Sequence, residues 1–253
     1  MNFIDVHCHL DGGHYGADLF ENIKKAGVKK FIAVGVDLQT SLFGKDLSEM
    51  PQCYFTAGFH PTELKDCKQE YLDKIEELAL DKKCVAIGEI GLDYHYPDTD
   101  KPLQRRVFEA QLTLAEKLNL PVQIHSRDSA EDMVAILRER AGGLKIMLHC
   151  YSHSVEIAEE LAKLGVYFSF GGTSTYQGSK KARRTIAALP LDRILTETDS
   201  PYLPPKSKQG LFPNTPESIP EIAANIAVIK GLSLEEVARS VWNTAHTLFD
   251  KLN

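Results

Sequence analysis

His7 and His9 stand two apart in the run Val6-His7-Cys8-His9, so on an extended strand both imidazoles project to one side and Cys8 to the other. Further ionisable residues close other short apolar runs: His60 after Gly58-Phe59, Glu89 after Gly88, His125 after Ile124, His149 after Leu148, and Asp199 after Glu197-Thr198. Neutral imidazoles and carboxylates are the ligands of a zinc-like or manganese-like hydrolytic site. His7, His9, His125 and His149 with Glu89 and Asp199 exceed what one open tetrahedral ion needs. The surplus predicts two divalent ions, zinc, manganese or magnesium. Glu89 bridges them, with His7, His9 and Asp199 toward one ion and His125 and His149 toward the other. Ions about 3.5–4 Å apart can share an activated water, which Asp199 would orient or deprotonate. Burying so many ionisable groups without a cation would be costly.

Other residues leave two readings open. His60 either contacts substrate or hydrogen-bonds within its own loop. Arg127, in His125-Ser126-Arg127, either grips a substrate phosphate with its planar donor fork or locks the loop through Asp128 or Glu89. Lys180, Lys181, Arg183 and Arg184 form either a phosphate-steering patch or, the more ordinary case, the solvated start of a helix. Tyr94 and Tyr96 either stack on a base or pack the rim. His14, His95, His153 and His246 are assigned to the surface or to supporting positions.

The elements that must position this set follow from periodicity. Eight short apolar or β-branched runs, near 3–7, 30–35, 54–58, 84–88, 121–125, 145–149, 166–170 and 194–198, alternate with segments of helical period. Helical patterns cover 71–80, 103–118, 130–140, 155–164 and 220–229, and a last helix near 233–252 opens on a Ser233/Glu236 capping box. Gly27, Asn119-Leu120-Pro121, Gly142-Gly143 and Gly165 punctuate the series. Alternating strands and helices with short connections require a parallel sheet. Eight units favour a single-domain (β/α)₈ TIM barrel over a doubly wound sheet, with the active site at the C-terminal ends of the strands. The stretch 201–220 holds six of the twelve prolines and reads as a long loop over one face.

Composition excludes several classes. The 253 residues are 43% hydrophobic and 25% charged, an ordinary globular mixture, and no window approaches the ~20 apolar residues of a membrane span. The five cysteines form no CxxC pair and leave one unmatched, which argues against a disulfide framework and for a reducing, cytoplasmic setting. A net charge of -6 excludes a duplex-wrapping protein, although two bound divalent ions would make a local phosphate site. No long apolar stripe is left over, so a monomer is the default expectation.

The motifs taken together resemble the TatD family of metal-dependent deoxyribonucleases, within the amidohydrolase-like barrels. The likeness spans nearly the whole chain and rests on Asp5-Val6-His7-Cys8-His9-Leu10, Gly58-Phe59-His60-Pro61, Gly88-Glu89-Ile90-Gly91-Leu92-Asp93-Tyr94, His125-Ser126-Arg127, His149-Cys150-Tyr151-Ser152 and Glu197-Thr198-Asp199-Ser200-Pro201-Tyr202-Leu203. It implies a (β/α)₈ barrel, two metal ions on the same six residues, and hydrolysis of DNA phosphodiesters from the 3′ end, with single-stranded ends as the partner. Two departures point at specificity: Tyr151 and His153 replace the family's usual Phe and Gly, which would place bulkier rings at the rim, and Lys208-Gln209-Gly210 precedes Asn214-Thr215-Pro216 in place of the usual Arg and Asn-Glu-Pro element. The competing readings are a hydrolase of small esters or amides on the same metals, and a non-catalytic scaffold, whose signature would be a missing ligand.

Overall fold

The computed structural model describes residues 1–66 and 69–252; Cys67 lies outside the described residues. Strands and helices alternate along the chain as β1 (Phe3–Cys8), α1 (Leu19–Lys25), β2 (Val28–Ala33), α2 (Leu38–Leu47), β3 (Cys53–Ala57), α3 (Gln69–Ala79), β4 (Cys84–Asp93) and α4 (Lys101–Leu118). They continue as β5 (Val122–Arg127), α5 (Ala130–Arg140), β6 (Ile146–Leu148), α6 (Val155–Lys163), β7 (Tyr167–Phe170), α7 (Lys180–Ala188), β8 (Ile194–Thr196), α8 (Ile219–Lys230) and α9 (Leu234–Leu248). The strands form one sheet in sequence order, every recorded pair parallel, as a (β/α)₈ barrel requires.

The sheet does not close by a regular ladder. At the seam Thr196 Oγ1 donates to Ile4 O (3.0 Å), Asp199 N to His7 O (3.0 Å) and His9 N to Ser200 O (2.7 Å). These last two bonds bring the backbone of His7 and His9 against that of Asp199, so the barrel's closure is what unites residues nearly two hundred positions apart.

The two faces of the strands explain the core. In β1, Ile4, Val6 and Cys8 face one way and Asp5 and His7 the other, and all five are fully buried. Fully buried rings such as Phe31, Phe55, Phe108 and Phe168 fill the core. Polar residues are concentrated near the strands' C-terminal ends, where Asp5, Glu89, Gln123, Ser169, Glu197 and Thr198 are at most 3% exposed.

Helix α4 shows how a helix positions a strand end. Asp100 caps it by accepting from Leu103 N, and Asn119 ends it in the left-handed conformation. Its buried face carries Gln104, Val107, Phe108, Gln111, Leu112 and Ala115 at helical spacing. The two glutamines are tethers: Gln104 accepts from Asp93 N (2.9 Å) and donates to Pro61 O (3.1 Å), while Gln111 accepts from Phe59 N (2.7 Å) and donates to Phe59 O (3.1 Å). Between them they fix the C-terminal ends of β3 and β4.

Most expected elements are present, with shifts that have physical causes. β4 runs on to Asp93, five residues beyond the expected end, because residues 90–93 keep pairing with β5. β8 ends at Thr196, so Glu197–Asp199 form no strand. Helices α1 and α2 carry no readable stripe, α1 being seven residues long and α2 burying only Ser41 and Gly44. The 201–220 segment is a long connection broken by short 3₁₀ turns. Cys8, Cys53, Cys84 and Cys150 are free thiols. Among the described residues, no helix is long and apolar enough to cross a membrane.

Candidate metal centre

Backbone irregularity aims the central residues. The β4–β5 register shifts between Ile87 and Ile90, at Glu89, and the β1–β2 register shifts between Asp5 and Cys8, at His7. Register breaks of this kind re-aim side chains into a site. Gly91 is required beside it: at φ +145°, an added Cβ would lie 2.0 Å from His125 O, so only glycine lets β4 approach β5 at this level.

Glu89, 3% exposed, is the hub. Its Oε1 lies 2.7 Å from His149 Nε2, 3.0 Å from His125 Nδ1 and 3.4 Å from His60 Nε2. Its Oε2 faces the other set, 3.4 Å from His7 Nε2 and 3.6 Å from His9 Nε2. Asp199 Oδ1 is 3.4 Å from His9 Nε2 and 3.8 Å from His7 Nε2. The six residues singled out as ligands therefore converge, and His60 joins them. His149 occupies a middle place: it faces Glu89 Oε1, yet its ring stacks on His7 at 3.9 Å and its donors also group with those of His7 and Asp199.

Hydrogen bonds on the far side of three of the rings fix which nitrogen is bare. Gln123 Nε2 donates to Val6 O (2.9 Å), which turns Gln123 Oε1 toward His7 Nδ1 at 2.9 Å; Nδ1 must carry the proton, leaving Nε2 as a lone pair toward Glu89. His9 Nδ1 donates to Val34 O (3.2 Å), and His125 Nε2 donates to Asp93 Oδ2 (3.2 Å). His149 Nδ1 and Glu197 Oε1 face each other across 3.7 Å, both buried and neither with another hydrogen-bond partner among the described residues. His7, His9 and His125 thus present a bare nitrogen to the cluster, as metal ligation demands, and His149 turns its Nε2 the same way, toward Glu89. His60 is held through Thr62, its Nδ1 lying 2.8 Å from Thr62 Oγ1 and 3.2 Å from Thr62 N, and it turns Nε2 toward Glu89 Oε1, so that its donor atom groups with those of Glu89 and His125.

Electrostatics agree with a cation-binding set. Burial favours the protonated form of Glu89, but the charges of His149, His60 and His7 and the bond to His125 outweigh it and hold the carboxyl well below the usual range. Burial likewise opposes ionisation of Asp199, whose bond with His9 and neighbouring imidazoles bring it down to about 2. Burial favours neutral His9, His125 and His149, yet their carboxylate neighbours raise all three. For His60 burial wins and its pKa is lowered. The buried carboxylates demand positive charge, which protons on the imidazoles supply and divalent ions on the same lone pairs would supply better.

The cluster floors a cleft of about 460 Å³, with Arg127, Tyr96, His14 and Tyr202 on its walls. Five carboxylates line it (Asp11, Glu63, Glu89, Asp93 and Asp199) against one Arg. Neither ion pair considered for Arg127 forms: Asp128 pairs with His95 (2.9 Å) and Glu89 is ringed by imidazoles. The guanidinium stands exposed, 6.0 Å from the centre of the Tyr96 ring.

Several expectations are corrected. Tyr151 is not at the rim; it is 5% exposed, packs on Phe168 and donates to Ser154 O (2.7 Å). His153 binds Ser126 Oγ (2.7 Å), and neither residue lines the cleft. Asn214 makes no substrate surface: at 1% exposed, it staples the 201–220 loop by donating to Thr198 O and Tyr202 O (2.9 Å each). Tyr94 is a packing residue bonded to Asp132 (2.6 Å), whereas Tyr96 does face the cleft. Lys180, Lys181, Arg183 and Arg184 are exposed on α7 and away from the cleft lining, the solvated-helix reading. Sequence reasoning missed Asp93, Gln123 and Glu197 as partners of the ligands; Asp93 and Glu197 lay inside quoted motifs, but nothing in their spacing marked a role.

Residues 4–250 match the family model described as TatD related DNase. The chain is 38% identical over 250 residues to the metal-dependent hydrolase YabD of Bacillus subtilis, covering 97% of this chain and 98% of the relative. It is 36% identical over 260 residues to the metal-dependent hydrolase YcfH of Escherichia coli, covering 98% and 96%. The crystal structure of YJJV, a TatD homolog from Escherichia coli, superposes with a TM-score of 0.91 at 32% identity over 98% of each chain. The chain therefore belongs to the TatD-related DNase family.

Proposed function

We propose that this metal-dependent hydrolase cleaves phosphodiester bonds of DNA, working inward from single-stranded 3′ ends, with two divalent ions held on Glu89. His7, His9 and Asp199 would hold one ion, His125 and His149 the other, with Glu89 placing one carboxylate oxygen toward each set. Bound there, the ions supply positive charge to the phosphate oxygens and lower the pKa of a water. Asp199, at 15% the more exposed of the two acidic residues, faces the cleft and takes the proton of the attacking water. His60, which lines the cleft with Nε2 turned toward Glu89, is placed to contact an oxygen of the substrate. Gln123, Asp93 and the Val34 carbonyl keep His7, His125 and His9 in the required tautomers, and Glu197 sets a carboxylate 3.7 Å behind His149.

The observation that carries the phosphodiester reading is Arg127. It is the one Arg or Lys lining a cleft with five carboxylates, and its guanidinium has no carboxylate partner within 4.0 Å among the described residues. Its charge reaches Asp93 without forming an ion pair, so the planar fork keeps its donors free beside the metal cluster and suits a phosphate better than a neutral ester. The test is hydrolysis of end-labelled single-stranded DNA by protein reconstituted with Mg²⁺, Mn²⁺ or Zn²⁺. Stepwise shortening from the 3′ end, weakened by Arg127→Ala chiefly through KM, is expected. Intact DNA alongside turnover of small esters or amides overturns this reading in favour of a deacylase.

A further inference from the structure

The wall of the cleft beside Asp199 carries a second feature that metal chemistry does not use. Four of the exposed large apolar side chains are aromatic: Phe43, Tyr96, Tyr202 and Phe212. Tyr96 and Tyr202 line the cleft, and Phe212 adjoins it through His14, which also lines it. The Tyr202 and Phe212 rings are 57% and 58% exposed, their centres 6.4 Å apart, and the His14 ring meets Phe212 edge-on at 5.0 Å.

This surface rests on a fixed backbone. Tyr202 N donates to Asp199 O (3.0 Å), which ties the ring to the turn that carries a candidate ligand. Buried Asn214 binds both Thr198 O and Tyr202 O, its own N–H donates to Pro201 O (2.8 Å), and Ser218 Oγ donates to its side-chain oxygen (2.8 Å). Both ends of the segment bearing Tyr202 and Phe212 are thereby pinned while the rings stay in water. Leaving such rings uncovered forgoes about 25 cal/mol per Å² of apolar burial.

We propose that Tyr202, Phe212 and His14 form an aromatic shelf that stacks an unpaired nucleobase flanking the hydrolysed phosphodiester. The proposal rests on the DNA-hydrolase reading of this cleft and names what selects single strands. A base has two π-faces that any aromatic ring can cover, and such stacking is sequence-tolerant. In a duplex those faces are already occupied by neighbouring bases, so a paired end must first unstack, at a cost of a few kcal/mol. A shelf beside the reacting phosphate converts that difference into preference for frayed or single-stranded ends. Arg127, elsewhere on the cleft, holds a phosphate, so that the two contacts share the backbone and base of the same substrate.

The test pairs the rings of the protein with the base of the substrate. Short single-stranded oligonucleotides carrying either a natural base or an abasic unit at each position flanking the cleaved bond are hydrolysed by metal-loaded wild type, Tyr202→Ala, Phe212→Ala and Phe212→Trp. In the wild type the natural base at one flanking position is expected to raise kcat/KM by roughly 5- to 150-fold over the abasic unit, the range of base–aromatic stacking, mostly through KM. That ratio falls toward 1 in both alanine variants and returns in Phe212→Trp. A wild-type ratio near 1 at both positions, or a ratio the alanine variants leave unchanged, overturns the shelf while leaving DNA hydrolysis standing. Failure of the metal-loaded wild type to hydrolyse any of the oligonucleotides overturns the DNA reading and the shelf with it.

Discussion

The two ends of the barrel are built to different rules. At the N-terminal end of the strands, the segment following α9 buries Phe249 and Leu252 completely. Three lysines latch it: Lys30 donates to Leu252 O, Lys145 to Thr247 O (2.9 Å), and Lys251 to Ala79 O (3.1 Å) and Asp81 O (2.9 Å). Tight turns there use residues suited to the left-handed region, namely Gly27, Asn119 and Gly165. At the C-terminal end, Asp128, Cys150, Asp199 and Leu203 adopt positive φ without being glycine. Carboxylates and imidazoles are buried there against one another. One end is relaxed and sealed; the other keeps backbone strain and a buried cluster of ionisable groups, because Asp199 must be an aspartate whatever its φ. Stability and chemistry are thus separated along the barrel axis.

Substitutions at the two ends should have opposite signatures. Glu89→Gln removes the carboxylate that both imidazole sets face, and hydrolysis is expected to fall at least about a thousandfold. With EDTA present its melting temperature should stay within a few degrees of metal-free wild type, as read by calorimetry, so that the loss of rate is not a loss of fold. Phe249→Ala should do the reverse. Truncating a fully buried ring costs about 3–5 kcal/mol, which lowers the melting temperature by on the order of 10 °C. Turnover per folded molecule should stay within about twofold of wild type. Equal loss of turnover in both variants would erase the distinction between the ends.

Chelation sharpens the comparison, because ions bound only by the folded chain stabilise it. Removing ligand present at ~1,000 times its Kd costs about 4 kcal/mol, so EDTA should lower the wild-type melting temperature and scarcely move that of Glu89→Gln. The smallest effect is expected from Ser233→Ala. Its hydroxyl accepts from Glu236 N (3.2 Å) in the capping box of α9, and its loss should cost about 1 kcal/mol, roughly 3 °C, without changing metal content.

How much of this was legible in the sequence follows the same axis of local against distant causes. The barrel, its eight strands and the six converging residues could be read because a strand end is a local signal and an ionisable residue there stands out against an apolar run. The α9 capping box is equally local, and it forms as the Ser233/Glu236 spacing implies. Helix α2 escaped because it buries Ser41 and Gly44 rather than a stripe of large apolar residues. Gln104 and Gln111 lie in the buried face of α4 but act on strand ends far from them in sequence. The Gln123–His7 bond spans 116 positions, and Glu197 reaches His149 only because β8 and β6 converge at one end of the barrel. His60 is held in place by Thr62, whose hydroxyl lies 2.8 Å from Nδ1, and composition and spacing do not encode that contact. Tyr151 looked like a rim residue beside His149 but turns under the loop against Phe168.

Everything proposed for the cleft depends on Glu89 dividing its two carboxylate oxygens between two cation sites. Its most direct test is the stoichiometry of Mn²⁺ or Zn²⁺ bound to metal-free protein, measured by titration calorimetry and elemental analysis for wild type, His125→Ala and Glu89→Ala. Two ions per wild-type chain are expected, with one tight ion retained in His125→Ala and both sites weakened in Glu89→Ala. A single ion per wild-type chain, or two ions bound undiminished in Glu89→Ala, would contradict that division.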